Sequence, residues 1–240
     1  MDFTGKTAVV TGGAGGIGGA ISATLARLGA RVTATAFDPA EIDRLRGDPA
    51  CAGVAGALLD VRDDGAVQAF ATRFPALDIL VNCAGTTVRG ERAFTEEGFD
   101  LVLDVNLFGT MRAARAFLPQ LTQAKGTVVN IASMMSFFGS GTAPGYAASK
   151  GGVAQLTKSL AIAWAEHGIR VNAVAPGWII TPLTEAQIDA DLRQRVIQRT
   201  PMRQWGVPQH IADAVSFLCS PQASFITGAI LPVDGGYSAA

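Results

Sequence analysis

Tyr146 and Lys150 stand four residues apart in the stretch Pro144-Gly145-Tyr146-Ala147-Ala148-Ser149-Lys150. Gly141, Pro144 and Gly145 break the chain before them, and residues 147–163 are rich in helix formers, so the pair is predicted to begin a helix. Side chains at i and i+4 lie on one helical face, about one turn apart. A phenol titrates near ~10 in water and is a poor base at neutral pH. A neighbouring ammonium favours the phenolate and draws that pKa down toward working pH. Ser133, thirteen residues before Tyr146, follows the apolar run Val128-Val129-Asn130-Ile131-Ala132. A strand there delivers the serine at its C-terminal end, where sites on open parallel sheets lie. Serine as donor, tyrosine as acid/base and lysine as tuner form a set able to move a proton to or from a carbonyl oxygen. Alone, the pentapeptide is no more than a helix start, and the surrounding elements must decide.

Residues 6–11 (KTAVVT) form a nearly continuous apolar run, the mark of a strand buried on both faces. Gly12-Gly13-Ala14-Gly15-Gly16-Ile17-Gly18 follows, and then an apolar-periodic helix over 19–28. Strand, glycine loop and helix are the context a phosphate-cradling turn requires. Glycines let backbone approach a pyrophosphate, and a helix N-terminus supplies free N–H groups. In a chain with 28 glycines the flanking elements carry this argument, not the glycines alone. Residues 31–37 read as a second strand. A carboxylate at its end would bond a ribose 2′-hydroxyl, whereas a basic residue would take a 2′-phosphate. Ala36, Phe37 and Asp38 stand there; Asp38 could serve, or could cap a helix beginning at Pro39. Neither the glycine loop nor this strand end holds an arginine or lysine, which leans toward NAD over NADP.

The alternation continues. Strands are predicted at 54–59, ending on Asp60-Val61, and at 77–82, ending on Asn82-Cys83-Ala84-Gly85. Others follow at 127–131, at 170–174 before Pro176-Gly177, and at 230–233. Helices are predicted at 63–74, 95–118, 146–165 and 208–218. Asn106 falls inside the apolar stripe of the run 95–118, where it needs partners if buried. Residues 181–206 are more polar, with a helical pattern at 185–199, and read as a lid above the sheet. The expectation is one domain, 1–240: an α/β doubly wound parallel sheet of about seven strands with helices on both faces, a Rossmann fold.

Composition narrows the classes. The 240 residues are 49% hydrophobic and 16% charged, with a net charge of −1, which offers no basic footprint for nucleic acid. No apolar run approaches the ~18–20 residues of a membrane span. Cys51, Cys83 and Cys219 are scattered and suggest neither a disulfide framework nor a metal site, and free thiols fit a cytoplasmic protein. His167 and His210 are too far apart in sequence to suggest a site.

Taken together, the chain resembles the short-chain dehydrogenase/reductase family over essentially its whole length. Thr11-Gly12 with Gly16-Ile17-Gly18 is similar to the family's TGxxxGIG turn. Asp60-Val61, Asn82-Cys83-Ala84-Gly85, Asn106, Ser133, Tyr146 to Lys150 and Pro176-Gly177 follow in the family's order. The resemblance implies that Gly12, Gly16, Ile17 and Gly18 line the cofactor's phosphates and adjacent ribose. It implies Asp60 and Val61 at the adenine, and Asn82, Ala84 and Gly85 behind the cofactor's centre. Pro176, Gly177, Ile179 and Thr181 would position the nicotinamide, and Tyr146 and Lys150 would also touch the cofactor. Asn106, Ser133, Tyr146 and Lys150 would be the catalytic set, with Asn106 at a kinked helix holding a water that relays protons from Lys150. Departures are Cys83, where the family usually has asparagine, and Ala36, where an acid would decide the cofactor. The implied activity is hydride exchange between a nicotinamide cofactor and a secondary alcohol or ketone. The stretch 136–150 and the tail 231–237 are similar to members acting on sugar acids and polyols. Alternatives are an NADPH-dependent 3-oxoacyl-carrier-protein reductase and a non-catalytic dinucleotide sensor. Candidate substrate contacts are Thr86, Thr87, Val88 and Arg89, then Met134, Met135, Phe137 and Phe138, and in the lid Trp178, Thr184 and Gln187. Arg89 could bind a substrate carboxylate, though loop arginines are more often solvated. A homotetramer or homodimer is implied, and no metal.

Overall fold

The computed structural model describes residues 1–185 and 189–240. Seven strands form one parallel sheet in the order β3-β2-β1-β4-β5-β6-β7. They are β1 (Thr7–Thr11), β2 (Arg31–Ala36), β3 (Ala55–Leu58), β4 (Ile79–Asn82), β5 (Thr127–Ile131), β6 (Arg170–Pro176) and β7 (Ile230–Val233). The order reverses direction between β1 and β4, so a crevice opens beyond their C-terminal ends, the place where such sheets bind dinucleotides.

Between the strands run α1 (Gly16–Arg27), α2 (Pro39–Gly47), α3 (Asp64–Ala71), α4 (Glu96–Leu103), α5 (Gly109–Ala116) and α6 (Leu118–Ala124). Then come α7 (Pro144–Trp164), α8 (Pro182–Glu185), α9 (Ala190–Arg199) and α10 (Pro208–Cys219). Alternation within the strands sends side chains to both faces. Val10, Val81 and Val129 pack under Ile21 and Leu25 of α1 and Ile211 and Val215 of α10. Val9, Leu80 and Val128 pack under Phe70 of α3, Ala113 of α5, and Leu160 and Trp164 of α7. The central strands are therefore buried on both faces, which explains their unbroken apolar composition. Among the described residues no helix is long and apolar enough to cross a membrane.

Two predicted helices differ from what folds. The run 95–118 is interrupted by a π-helical turn at Asp104–Phe108, and a new helix, α6, begins beyond Phe117. The run 185–199 becomes α9, which starts at Ala190 because Asp189 caps it, its Oδ1 accepting from Leu192 N at 2.6 Å. The base of the 181–206 excursion is closed by the Ile179–Gly206 bridge, with Gly206 N donating to Trp178 O at 2.8 Å. Gln187 lies outside the described residues.

Candidate active site

The glycine turn joins β1 to α1. Gly12 has φ +62°, and a Cβ there would stand 2.7 Å from Ala84 Cα. A Cβ on Gly18 would stand 2.0 Å from the Gly12 carbonyl oxygen, so helix and turn meet backbone to backbone. Thr11 ties the same corner to β4, its Oγ1 accepting from Cys83 N at 3.2 Å and Ala84 N at 3.3 Å. Gly15, the N-cap of α1, offers no side chain to the first turn, leaving N–H groups of the helix free toward the crevice. Thr181, on the excursion's stem, faces this turn, with Cβ and Cγ2 both 3.7 Å from where a Gly16 Cβ would lie.

Beside the turn is a cavity of about 460 Å³ lined by Gly12, Ala36, Phe37, Asp38, Asp60 and Val61, with Ala84, Gly85 and Glu41 also on its walls. Its size, the bare glycine backbone and the uncapped helix suit the adenosine and phosphate parts of a dinucleotide. Asp38 lines the cavity and also caps α2, its Oδ1 accepting from Ala40 N at 2.9 Å. Arg62, on the same wall, was not singled out from the sequence. Arg62 forks onto Asp60 with bonds of 2.6 to 3.0 Å and lies 5.2 Å over the Phe37 ring. The Arg62 hydrogen bonds hold the Asp60 carboxyl below the usual carboxylate range.

Ser133 caps a short 3-10 turn just past β5, its Oγ accepting from Met135 N at 3.2 Å. Pro144 opens α7, and Tyr146, Lys150, Val153, Thr157, Leu160 and Trp164 then follow at spacings of three and four. The last four pack in the interior, and the stripe carries Lys150 in with them to 4% exposure. Lys150 Nζ donates to Ile131 O at 2.6 Å and lies 5.7 Å from the Tyr146 ring centroid. Burial lowers the Lys150 ammonium from 10.5 to about 8. Burial also raises the Tyr146 phenol, while Ser133 and the charge of Arg89 oppose the rise. This corrects the expectation of a phenol depressed by its lysine: burial is the largest influence on Tyr146, and it raises the phenol.

A stability consequence follows. A lysine whose pKa falls on folding binds fewer protons folded than unfolded between about pH 8 and 10.5, so its contribution to stability rises across that window and is most adverse below it. The bond to Ile131 O, worth ~1 kcal/mol, offsets part of the cost of burying the ammonium. Lys150→Met is therefore expected to raise the Tm at pH 7, with the gain shrinking by pH 10. A thermal melt series that shows the gain growing with pH would contradict this.

Asn106 sits fully buried in the π turn. Its Oδ1 accepts from Thr86 N at 2.8 Å, and its Nδ2 donates to Thr86 O at 3.0 Å and Ser149 Oγ at 3.0 Å. The asparagine thus braces the strand-β4 loop against α7, and the π turn widens the helix at that point. A second brace was missed from the sequence. Asn82 Nδ2 donates to Asn130 Oδ1, and Asn130 Nδ2 to Thr157 Oγ1, both at 2.9 Å, linking β4, β5 and α7. Asn130 inside a wholly buried strand was the available signal, since a buried amide requires partners. Ser136 adds a third, donating to Lys150 O at 2.7 Å.

Pro176 and Gly177 end β6 against β7, where a Gly177 Cβ would meet Asp234 Cβ at 2.6 Å. The Ile179 side chain is packed into the core, which leaves only its backbone for a cofactor. Trp178 and Ile179 also line a separate cavity of about 290 Å³ with Met202, Gln204, His210 and Asp213. Trp178 tilts against Trp205 at 5.3 Å. The Thr184 hydroxyl is bonded to Ile179 O at 2.7 Å and Thr181 O at 3.0 Å, so it braces the stem. Met134 is buried, Phe137 is half exposed, and Phe138 packs beside Tyr237 at 6.1 Å. Thr86 is held by Asn106, and Arg89 is exposed. Among the described residues no cluster of His, Cys, Asp or Glu could hold a metal ion. The three cysteines are free thiols.

The chain is similar to known proteins over nearly its whole length. A family model described as enoyl-(acyl carrier protein) reductase matches residues 12–238. The chain is 39% identical to the 2-(R)-hydroxypropyl-CoM dehydrogenase of Xanthobacter autotrophicus, over 98% of this chain and 99% of that one. It is 39% identical to a galactitol 2-dehydrogenase (L-tagatose-forming) of Cereibacter sphaeroides, over 98% and 95%. A 3-oxoacyl-acyl-carrier-protein reductase of Rickettsia felis matches at 35% identity over 98% of each chain. The gluconate 5-dehydrogenase of Burkholderia cenocepacia, solved with NADP and tartrate, superposes with a TM-score of 0.91 at 33% identity, over 100% of this chain and 97% of that one. The chain belongs to the short-chain dehydrogenase/reductase family, and is an NAD(P)-dependent oxidoreductase acting on CH–OH groups.

Proposed function

We propose that the protein exchanges a hydride between NAD and the carbinol carbon of a sugar acid or polyol. The observation that carries this reading is the placement of Ser133, Tyr146 and Lys150 at the β5 and α7 ends of a crevice whose other end is the glycine-turn cavity. The bound cofactor supplies the hydride acceptor or donor. Ser133 donates a hydrogen bond to the substrate oxygen and holds it within reach of Tyr146. In oxidation the Tyr146 phenolate takes the hydroxyl proton, and in reduction the phenol returns it. Lys150, anchored on Ile131 O and 5.7 Å from the Tyr146 ring centroid, would bond the ribose of the bound cofactor and place its ammonium beside the phenol. Asn106, in the π turn, holds a water through which Lys150 exchanges protons with solvent. Burial of the phenol means that oxidation gains rate as pH rises.

The preference for NAD is supported by the charges on the cavity wall. Asp38, Glu41 and Asp60 carry three negative charges against the one positive charge of Arg62, which is already paired with Asp60. A 2′-phosphate entering there would face net repulsion, whereas Asp38 Oδ2 can accept from a 2′-hydroxyl. NADH is expected to bind at least ~10-fold tighter than NADPH, a difference of about 1.4 kcal/mol. Tighter NADPH binding in a fluorescence titration would reverse the cofactor assignment and favour the acyl-carrier-protein reductase reading.

A further inference from the structure

The loop after β4 crosses the site and is fixed at both ends. At its start Gly85 lies against the catalytic lysine, where a Cβ would stand 3.7 Å from Lys150 Nζ. Asn106 then clamps both the N–H and the carbonyl of Thr86. At the far end Gly90 N donates to Thr142 O at 3.3 Å, four residues before Tyr146. Arg89 stands beside this second tether in extended conformation, φ −130° and ψ 168°. Its position is therefore set relative to the phenol by the backbone on both sides.

Four other basic side chains are already engaged. Arg199 lies 4.2 Å over the Tyr237 ring, Arg62 is forked onto Asp60, and Arg112 pairs with Asp104 at 2.7 Å. Lys150 is buried on Ile131 O. Arg89 has no ion pair, side-chain hydrogen bond or aromatic partner among the described residues, and its side chain is exposed. Its positive charge is nevertheless felt at the Tyr146 phenol, as expected for a guanidinium facing the same space. A planar fork of this kind matches a carboxylate with two parallel hydrogen bonds.

We propose that Arg89 reads a carboxylate on the substrate, so that the site prefers hydroxy acids and their keto forms over neutral polyols of the same length. This rests on the reading of the site given above and selects one substrate class within it. The reaction balances as hydroxy acid plus oxidised cofactor giving keto acid, reduced cofactor and a proton. The C–H electron pair leaves with the hydride, and the O–H proton passes to Tyr146.

The test uses short hydroxy acids, each paired with the polyol of the same length, gluconate with sorbitol among them. Initial rates are measured for the wild-type protein, Arg89→Gln and Arg89→Lys. The wild type is expected to favour the acid of at least one pair. Arg89→Gln should lower kcat/KM for that acid by at least ~10-fold, chiefly through KM, and change the polyol by less than about twofold. Arg89→Lys should recover part of the loss, and added salt should weaken the acid preference in the wild type. Equal losses on acid and polyol, or no acid preferred in any pair, would overturn the proposal. Turnover that survives Tyr146→Phe is a separate result and would overturn the reading of the site itself.

Discussion

Tyr146→Phe is expected to lower kcat by ~10²–10⁴-fold, the usual contribution of a positioned acid/base. The phenyl ring keeps the packing at the start of α7 and removes only the proton carrier. Lys150 would stay on Ile131 O and the glycine turn would be untouched, since neither depends on the hydroxyl. NADH affinity should therefore change by less than about tenfold, or ~1.4 kcal/mol. Parallel measurement of turnover and NADH binding separates the two effects. Loss of both together would point to collapse of the site rather than loss of an acid/base.

Gly18→Ala should fail for a different reason. The added Cβ would lie 2.0 Å from the Gly12 carbonyl oxygen and 2.8 Å from its carbon, so backbone, not a flexible side chain, must move. Overpacking of this kind costs ~1–3 kcal/mol of stability, and a displaced turn should weaken NADH binding by at least ~10-fold. Gly15→Ala supplies the contrast. Gly15 is extended at φ −162°, and nothing lies within 4 Å of the added carbon. Its Tm should stay near that of the wild type. Equal thermal losses in both variants would show that the turn's glycines serve chain flexibility and not close packing.

Much of this was legible in the sequence because parallel strands buried on both faces write themselves as short apolar runs. All seven strands, β1 to β7, fall within about two residues of their predicted spans. Ser133, Tyr146 and Lys150 were readable from one strand end and one helical turn. The break in the helix at Asn106 came only from the family resemblance, since periodicity cannot register an extra residue whose justification is three hydrogen bonds to distant Thr86 and Ser149. Asn130 and Thr157 escaped notice for a similar reason: their partners are 48 and 27 residues away in one direction or the other. The phenol was misjudged because spacing reveals a neighbouring charge but not how deeply both groups are buried. Arg62 was overlooked at the cofactor end because it follows β3, while the discriminating position was sought only at the end of β2.

The most direct test of the account is the appearance of reduced cofactor when the purified protein is mixed with NAD or NADP and a panel of sugar acids and polyols. The account predicts reduction of NAD, at lower cofactor concentration than NADP, with at least one member of the panel, and its disappearance in Tyr146→Phe. Tight NADH binding with no turnover on any secondary alcohol would contradict it, leaving a dinucleotide-binding protein whose serine, tyrosine and lysine do no chemistry.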